Sequence, residues 1–368
     1  MDINELKARL QKAAKGVHIE VLSESNIANV SKFLDGPSYD VNRILTGSLF
    51  KGLPEKSVTC LVAPEGVFKS SLMAIAAADA QRKGYKPIIF DTEGAFSKEF
   101  CERWGVDPDN MLHIYTIYVE EITTLLGDFI DNKDQDIFLI LDSLGGLEST
   151  KIIRDTTSGD HEAKADQGGL ARKIKRMLKM FVSVVKSQNG MGMFSGHWYG
   201  KPDSYGAAED IGGGKYVKLA ADIIISMKKT SIYANPAGKT IKEKGDIVGS
   251  EISACTLKNR FYPPFQEAKI QINYKDGINK FAGIMDMALT CGIIQQSGAW
   301  YSYQGERLGQ GIVKATDAVI TNDAISKSIL NELEVILKTT GYSNVNNEVL
   351  NLARELVEQD NNNFKDTE

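Results

Sequence analysis

The stretch VTCLVAPEGVFKSSLMAIAAADAQR (58–82) decides the fold. Residues 58–63 form an apolar strand pattern, and an Ala-, Leu- and Met-rich helix is expected over 70–82. Between them lies APEGVFKSS (63–71), so a strand runs straight into a glycine-containing loop that opens a helix. That context suits a phosphate-binding loop. Backbone N–H groups of the loop and of the helix N-terminus point at phosphate oxygens, and the helix dipole favours negative charge. Pro64, Glu65, Gly66, Val67, Phe68, Lys69, Ser70 and Ser71 would line the loop. Lys69 would reach the phosphates and the Ser70 hydroxyl would ligate Mg2+. The pattern G-x-x-x-x-G-K-[ST] is met imperfectly, because Ala63 and Phe68 stand where its two glycines belong. Phe resists the backbone angles that Gly permits before the lysine. Taken alone, the loop has an alternative reading as an ordinary strand–helix turn carrying a surface lysine.

The same alternation continues outward. KPIIFD (86–91), a helix near 97–104, MLHIYTI (111–117), a helix at 119–131 and IFLILD (137–142) follow in order. Further strands are expected at 191–196, 223–227, 250–258 and 268–274. Strands this uniformly apolar are buried on both faces, which implies an α/β fold with a mainly parallel central sheet and right-handed crossovers. Two carboxylates fall at strand ends. Asp142 closes IFLILD as a Walker B acid would, beside Mg2+ and the phosphates, and Glu93 in IIFDTEGAF (88–96) would polarise an attacking water. Each alone could be a capping carboxylate. Three such features, in order and at one end of one sheet, point to a nucleotide site.

Composition bounds the remaining possibilities. The 368 residues carry a net charge of −5, so any nucleic-acid contact must come from a local basic patch. Cys60, Cys101, Cys255 and Cys291 are scattered without a C-x-x-C pair, as expected of buried thiols in a reducing compartment. The four histidines show no metal-ligand spacing. MDINELKARLQKAAKG (1–16) reads as a charged amphipathic helix with Ile3, Leu6 and Leu10 on one side, unlike a signal peptide. No apolar stretch approaches the ~18 residues of a membrane helix. A cytoplasmic protein without a membrane partner is the expectation.

The order and spacing of APEGVFKSS, FDTEGAF and LILDSLGGL resemble the RecA recombinases. QINYKDGIN (271–279) and GAWYSYQGERLGQG (298–311) resemble bacterial RecA more specifically, and the second has no role in generic nucleotide binding. Resemblance extends from about residue 40 to about residue 340. Phe68 and His197, in SGHWYG, resemble UvsX, the T4-type phage branch of the family. The resemblance implies ATP and Mg2+ as ligands, Lys69 and Ser70 on phosphate and metal, Asp142 as the Walker B acid and Glu93 as the catalytic base. It makes His197 a γ-phosphate sensor, against the alternative of a buried histidine at a strand end. Lys258 and Arg260, in TLKNRFYPPF, match a basic pair that reaches across a filament interface to the neighbour's ATP. Two cations at alternate strand positions also suit a solvated edge. Tyr274 matches a tyrosine that packs on the base, its alternative being a core strand aromatic. Ser97 and Phe100 stand where the family has an acidic and an aromatic base contact.

Two segments correspond to the family's DNA-binding loops. From 164 to 186 there are seven basic residues and one acidic residue, reversing the global charge. Arg172, Lys173 and Arg176 lie opposite the apolar Leu170, Ile174, Met177, Leu178 and Phe181, either as a phosphate-contacting face or as an ordinary solvated one. The second segment, HWYGKPDSYGAAEDIGGG (197–214), is long and glycine-rich. In it Trp198, Tyr199 and Lys201 would meet unstacked bases and phosphates, while Gly212 and Gly213 would let backbone approach DNA.

The expected architecture is an N-terminal oligomerisation arm (1–36), a RecA-type P-loop core with DNA-binding loops (37–276) and a small α+β C-terminal domain (277–368). After about residue 277 short helices with a Gly-rich insert are expected. The resemblance implies an ATP-dependent recombinase that self-assembles into a helical filament on single-stranded DNA and pairs it with homologous duplex DNA. Single-strand-binding and mediator proteins would be further partners. A hexameric RecA-fold helicase and a non-hydrolysing regulatory paralogue are the alternatives. The 298–311 segment speaks against the first, and Glu93, Asp142, Lys258 and Arg260 together against the second.

Overall fold

The computed structural model describes residues 1–14, 17, 19–25, 29–131, 136–157, 167–197, 212, 215–234, 240–241, 245–340, 350–351 and 353–357. The chain opens with helix α1 (Ile3–Ala13), capped by Asp2, whose carboxylate accepts from Asn4 N and Glu5 N. A two-residue pair, β1 (Phe33–Leu34) and β2 (Leu53–Pro54), flanks helix α2 (Tyr39–Thr46). Ser38 caps the start of α2, and Gly47, at φ 77°, ends it in the left-handed conformation that Gly adopts freely.

The core is a βα alternation. Strand β3 (Val58–Val62) leads to α3 (Lys69–Arg82), β4 (Lys86–Asp91), α4 (Lys98–Arg103), β5 (Leu112–Tyr115), α5 (Val119–Asp131) and β6 (Ile137–Asp142). After α6 (Thr150–Thr157) and α7 (Gln167–Ser187) come β7 (Met191–Gly196), α8 (Tyr216–Ala220), β8 (Ile223–Ala234), β9 (Thr240–Ile241), β10 (Asp246–Asn259), β11 (Glu267–Asn273) and β12 (Gly277–Asn279). These strands make one ten-stranded sheet in the order β12-β11-β10-β8-β3-β7-β6-β4-β5, with β9 on β8. Pairing is parallel from β8 to β5 and antiparallel from β8 to β12.

Alternation along each strand splits the core into two layers. Leu61, Phe138, Ile140, Ile223 and Ile225 face the layer under the alanine-rich α3. Val58, Cys60, Val62, Leu139, Leu141 and Ile224 face the layer under α5 and α7. Small alanines let α3 lie close on the sheet, with Ala74, Ala77 and Ala80 fully buried. All four cysteines are buried and free.

The sequence expectations need three corrections. The strand expected at 111–117 is shorter and not buried on both faces: β5 is a sheet edge, with Leu112 62% and Tyr115 67% exposed. An apolar strand at an edge loses one row of neighbours that a central strand has. The strand expected at 223–227 continues to Ala234, because it pairs along its whole length with β10, itself longer than expected at both ends. Polar side chains there are carried by ladder hydrogen bonds rather than by burial. Beyond residue 279 the Gly-rich insert folds as an antiparallel sheet, β13 (Ile294–Ser297), β14 (Trp300–Tyr303) and β15 (Glu306–Gln310), in keeping with the expected small α+β unit. It packs among α9 (Ile284–Thr290), α10 (Ile312–Thr321) and α11 (Asp323–Thr340), and the last is an 18-residue helix rather than a short one. The third apolar cluster lies here, and Glu334 of α11 ties it to the core by accepting from Ser48 Oγ and Leu49 N, both at 2.7 Å. No helix among the described residues is long and apolar enough to cross a membrane.

Helix α7 approaches β7 closely at Gly192. A Cβ at Gly192 of β7 would fall 2.6 Å from Phe181 Cε1 and 2.9 Å from Val185 Cγ2. Gly192→Ala is therefore expected to cost about 1–3 kcal/mol by overpacking, measured by chemical denaturation, and Phe181→Leu in the same chain should recover part of it.

Candidate functional site

The C-terminal ends of the parallel strands share one cleft of about 460 Å³, lined by Glu65–Ser71, Glu93, Ala95, Phe100, Asp142, His197 and Lys229. The loop between β3 and α3 supplies one wall. Gly66 (φ 67°) and Phe68 (φ 58°) are both left-handed, which turns the chain back into the helix. Lys69 folds inward, its ammonium donating to the carbonyls of Pro64 at 2.9 Å and Ala63 at 3.3 Å. Burial lowers its pKa, opposed by the carboxylates of Asp142, Glu93 and Glu65. A cation held on neutral carbonyls is free to transfer its hydrogen bonds to an anion.

Asp142 ends the interior strand β6 and accepts two hydroxyls. Ser70 Oγ of the loop bonds Oδ2 and Ser195 Oγ of β7 bonds Oδ1, each at 2.5 Å. Burial raises its pKa despite those bonds, and Glu93 and Asp91 add to the rise. The Ser70 hydroxyl and the Asp142 carboxylate are hard oxygen donors side by side in a patch of excess negative charge. That set fits Mg2+, which takes one or two protein oxygens alongside waters and phosphate. Among the described residues no group of three or more His, Cys, Asp or Glu side chains is arranged as a protein-only metal site.

Glu93 stands beside this pair. Its Oε1 accepts from Ser143 Oγ at 2.5 Å, and His197 Nε2 lies 3.5 Å away. The turn that carries it is built by Asp91, which is fully buried. Asp91 Oδ1 accepts from the amides of Glu93, Gly94 and Ala95, and Oδ2 from that of Phe96 and from the His113 ring at 3.0 Å. Burial pushes Asp91 up, but the His113 and amide hydrogen bonds outweigh it and hold its pKa below the ordinary aspartate value. Thr92 fastens the turn to the end of β6, its amide donating to Asp142 O at 2.8 Å while its hydroxyl accepts from Ser143 N at 2.8 Å.

The structure brings Lys69, Ser70, Asp142, Glu93 and His197 together, with Phe68 and Phe100 as aromatic lining. It does not bring Lys258, Arg260 or Tyr274 to them. Lys258 Nζ donates to the carbonyls of Lys218 (2.6 Å) and Ala221 (2.5 Å), capping α8, and burial lowers its pKa with Arg260 adding to the effect. Arg260 pairs with Asp222 at 2.9 Å, and Asp222 accepts from Val58 N at 3.0 Å. Both cations thus sit at the start of β3, about 16 Å of strand away from the loop at its end. Tyr274 is 55% exposed after β11, its hydroxyl 2.8 Å from Ser250 Oγ.

On α7, Arg172 and Arg176 are exposed, whereas Lys173 pairs with Glu120 at 2.8 Å. Gly212 N donates to His197 O at 3.2 Å, which joins the two ends of the second loop. Trp198, Tyr199, Lys201 and Gly213 lie outside the described residues, as do 158–166.

Sequence reasoning passed over Lys229, Ser195 and the Asp91–His113 pair. Lys229 follows the apolar run IIISM, which looks like a finished strand. Ser195 sits in a run of small and apolar residues, MGMFSG, and carries no signal until β7 is known to lie beside β6.

Asp91→Asn is expected to destabilise the protein by about 2–3 kcal/mol at pH 7, since an amide nitrogen would face backbone donors. Because the folded pKa is depressed, this difference is fully present above the ordinary aspartate pKa of about 4. It closes as pH falls through the folded value. Urea denaturation of both proteins between pH 7 and 3 checks it.

A family model of the RecA N-terminal domain matches residues 6–279, and one of the RecA C-terminal domain matches 282–338. Protein RecA of Pseudomonas putida is 28% identical over 306 residues, which is 81% of this chain and 82% of that relative. The first match spans the ten-stranded sheet, the loop before α3 and both strand-end carboxylates, and the second spans the antiparallel sheet and most of α11. With most of its length matched in this way, the chain belongs to the RecA family.

Proposed function

We propose that the protein is a DNA-dependent ATPase of the recombinase type, working as a filament on single-stranded DNA. The observation that carries this reading is the meeting of Lys69, Ser70, Asp142 and Glu93 in one cleft at the ends of parallel strands. Lys69 exchanges its carbonyl partners for phosphate oxygens, and the loop amides and the start of α3 add their dipoles. Ser70 and Asp142 would hold Mg2+, which offsets charge on the phosphates. Glu93, oriented by Ser143, takes a proton from the attacking water and so acts as general base. His197, between Glu93 and the 198–211 segment, is suited to relay the nucleotide state to DNA contacts along that segment. Phe68 and His197 favour a UvsX-like variant within the family.

Lys258 and Arg260 lie far from the cleft of their own chain, a placement that suits cations given to a neighbouring subunit's nucleotide. Helix α1 supports self-assembly in the same way. Ile3 and Leu10 are 60% and 42% exposed, and none of its residues is buried. Arg172 and Arg176 on α7 would contact the phosphates of single-stranded DNA, with homologous duplex DNA selected by base pairing. The core, the arm before residue 37 and the unit after residue 276 would be the working parts.

ATP hydrolysis with and without single-stranded DNA, in the wild-type chain and in Glu93→Gln, tests the reading. DNA should stimulate the wild type, and the substitution should lower turnover by about 10²-fold or more while analogue binding persists. No hydrolysis in either protein despite tight DNA binding would favour the regulatory paralogue. A closed ring in electron micrographs would favour the helicase.

A further inference from the structure

Phe68 occupies the left-handed region, φ 58° and ψ 24°, at the residue before α3. Gly adopts that region freely, whereas a Cβ there crowds the following carbonyl. Something must hold the residue in place. Its ring has two partners: the Trp104 ring meets it edge-on at 6.5 Å and 87°, and the Lys229 ammonium lies 5.4 Å from its centroid. The same ammonium donates to Gly66 O at 3.0 Å, and Gly66 is the other left-handed residue of the loop. One cation thus touches both residues that give the loop its turn.

Lys229 reaches the loop because β8 outruns its neighbour. Ser226 pairs with Val62, the last residue of β3, and Lys229 lies three residues further on. Alternation puts it on the side of Ile225 and Met227, the α3 layer, where the loop passes. Lys69 cannot take this task, since its ammonium is held on the carbonyls of Ala63 and Pro64 on the inner side of the loop.

We propose that Lys229 is a positioning residue for the phosphate-binding loop. It holds Phe68 and Gly66 left-handed, so that the loop amides face the polyphosphate before it arrives. The lysine compensates for an aromatic residue where glycine would turn unaided, and its importance therefore depends on Phe68. The ligand, ATP, is taken from the reading above, whereas the Lys229–Phe68 contact stands without it.

The test combines Lys229→Met and Lys229→Arg with the wild-type chain and with Phe68→Gly, all in the full-length protein. Two quantities are read: amide hydrogen exchange over 66–73 without nucleotide, and the Kd of a fluorescent, non-hydrolysed ATP analogue. Lys229→Met should speed exchange and weaken analogue binding, each by about three- to tenfold, in the wild-type background. Lys229→Arg should restore both, because guanidinium binds an aromatic face at least as well. In the Phe68→Gly background, where only the hydrogen bond to Gly66 O is left to lose, Lys229→Met should have a clearly smaller effect on both. Equal effects in both backgrounds would overturn the proposal and make Lys229 a simple electrostatic contact, and so would no effect in either. If the wild-type chain does not bind the analogue, the ATP reading falls, and the exchange comparison alone decides the Lys229–Phe68 coupling.

Discussion

The Asp142 carboxylate is the junction on which the site depends. It closes the interior strand β6 and takes one hydroxyl from the loop before α3 and one from β7. A buried carboxylate without such donors would be strongly disfavoured in its charged form. Two serines satisfy both oxygens, and in doing so they register the β3–α3 loop against β6 and β7. Thr92 then bonds the end of β4 to the same strand end. Four strand termini are thereby fixed relative to one another by short polar contacts above an apolar sheet.

Around that junction the acidic groups have different environments and so different tasks. Asp91, surrounded by amides and His113, is held as an anion and serves as scaffold for the turn. Asp142, also buried but close to other carboxylates, carries charge at a cost that a cation relieves. Glu93 lies in the cleft with one hydroxyl partner and a histidine nearby, the least encumbered of the three. What surrounds each carboxylate thus makes Asp91 a scaffold and, in the proposed reading, suits Asp142 to a cation and Glu93 to a proton.

The basic residues follow a different logic. Lys258 and Arg260 sit at the start of β3, the first hydrogen-bonded to carbonyls and the second paired with Asp222, at the end of the sheet that cannot reach the loop in its own chain. Lys229, on the same antiparallel wing, is carried past the end of β3 and reaches it. Strand length decides which cations serve the cleft of the same chain.

By itself the sequence determined the α/β class, most of the parallel strands, and Lys69, Ser70, Asp142 and Glu93 as one set. Those features are local: apolar runs, a helix directly after a loop, and carboxylates at strand ends. It also pointed to the RecA family through 271–279 and 298–311, which the matches over 6–279 and 282–338 bear out. Tertiary structure alone decided the rest. The exposure of β5 follows from its place at the sheet edge, and the reach of β8 from a partner strand that starts twelve residues after it ends. The pairing of Lys229 with Phe68 joins residues 161 positions apart, through a strand whose polar end has no apolar pattern to announce it. Burial, register and edge position come from neighbours distant in sequence, and local periodicity carries no record of them.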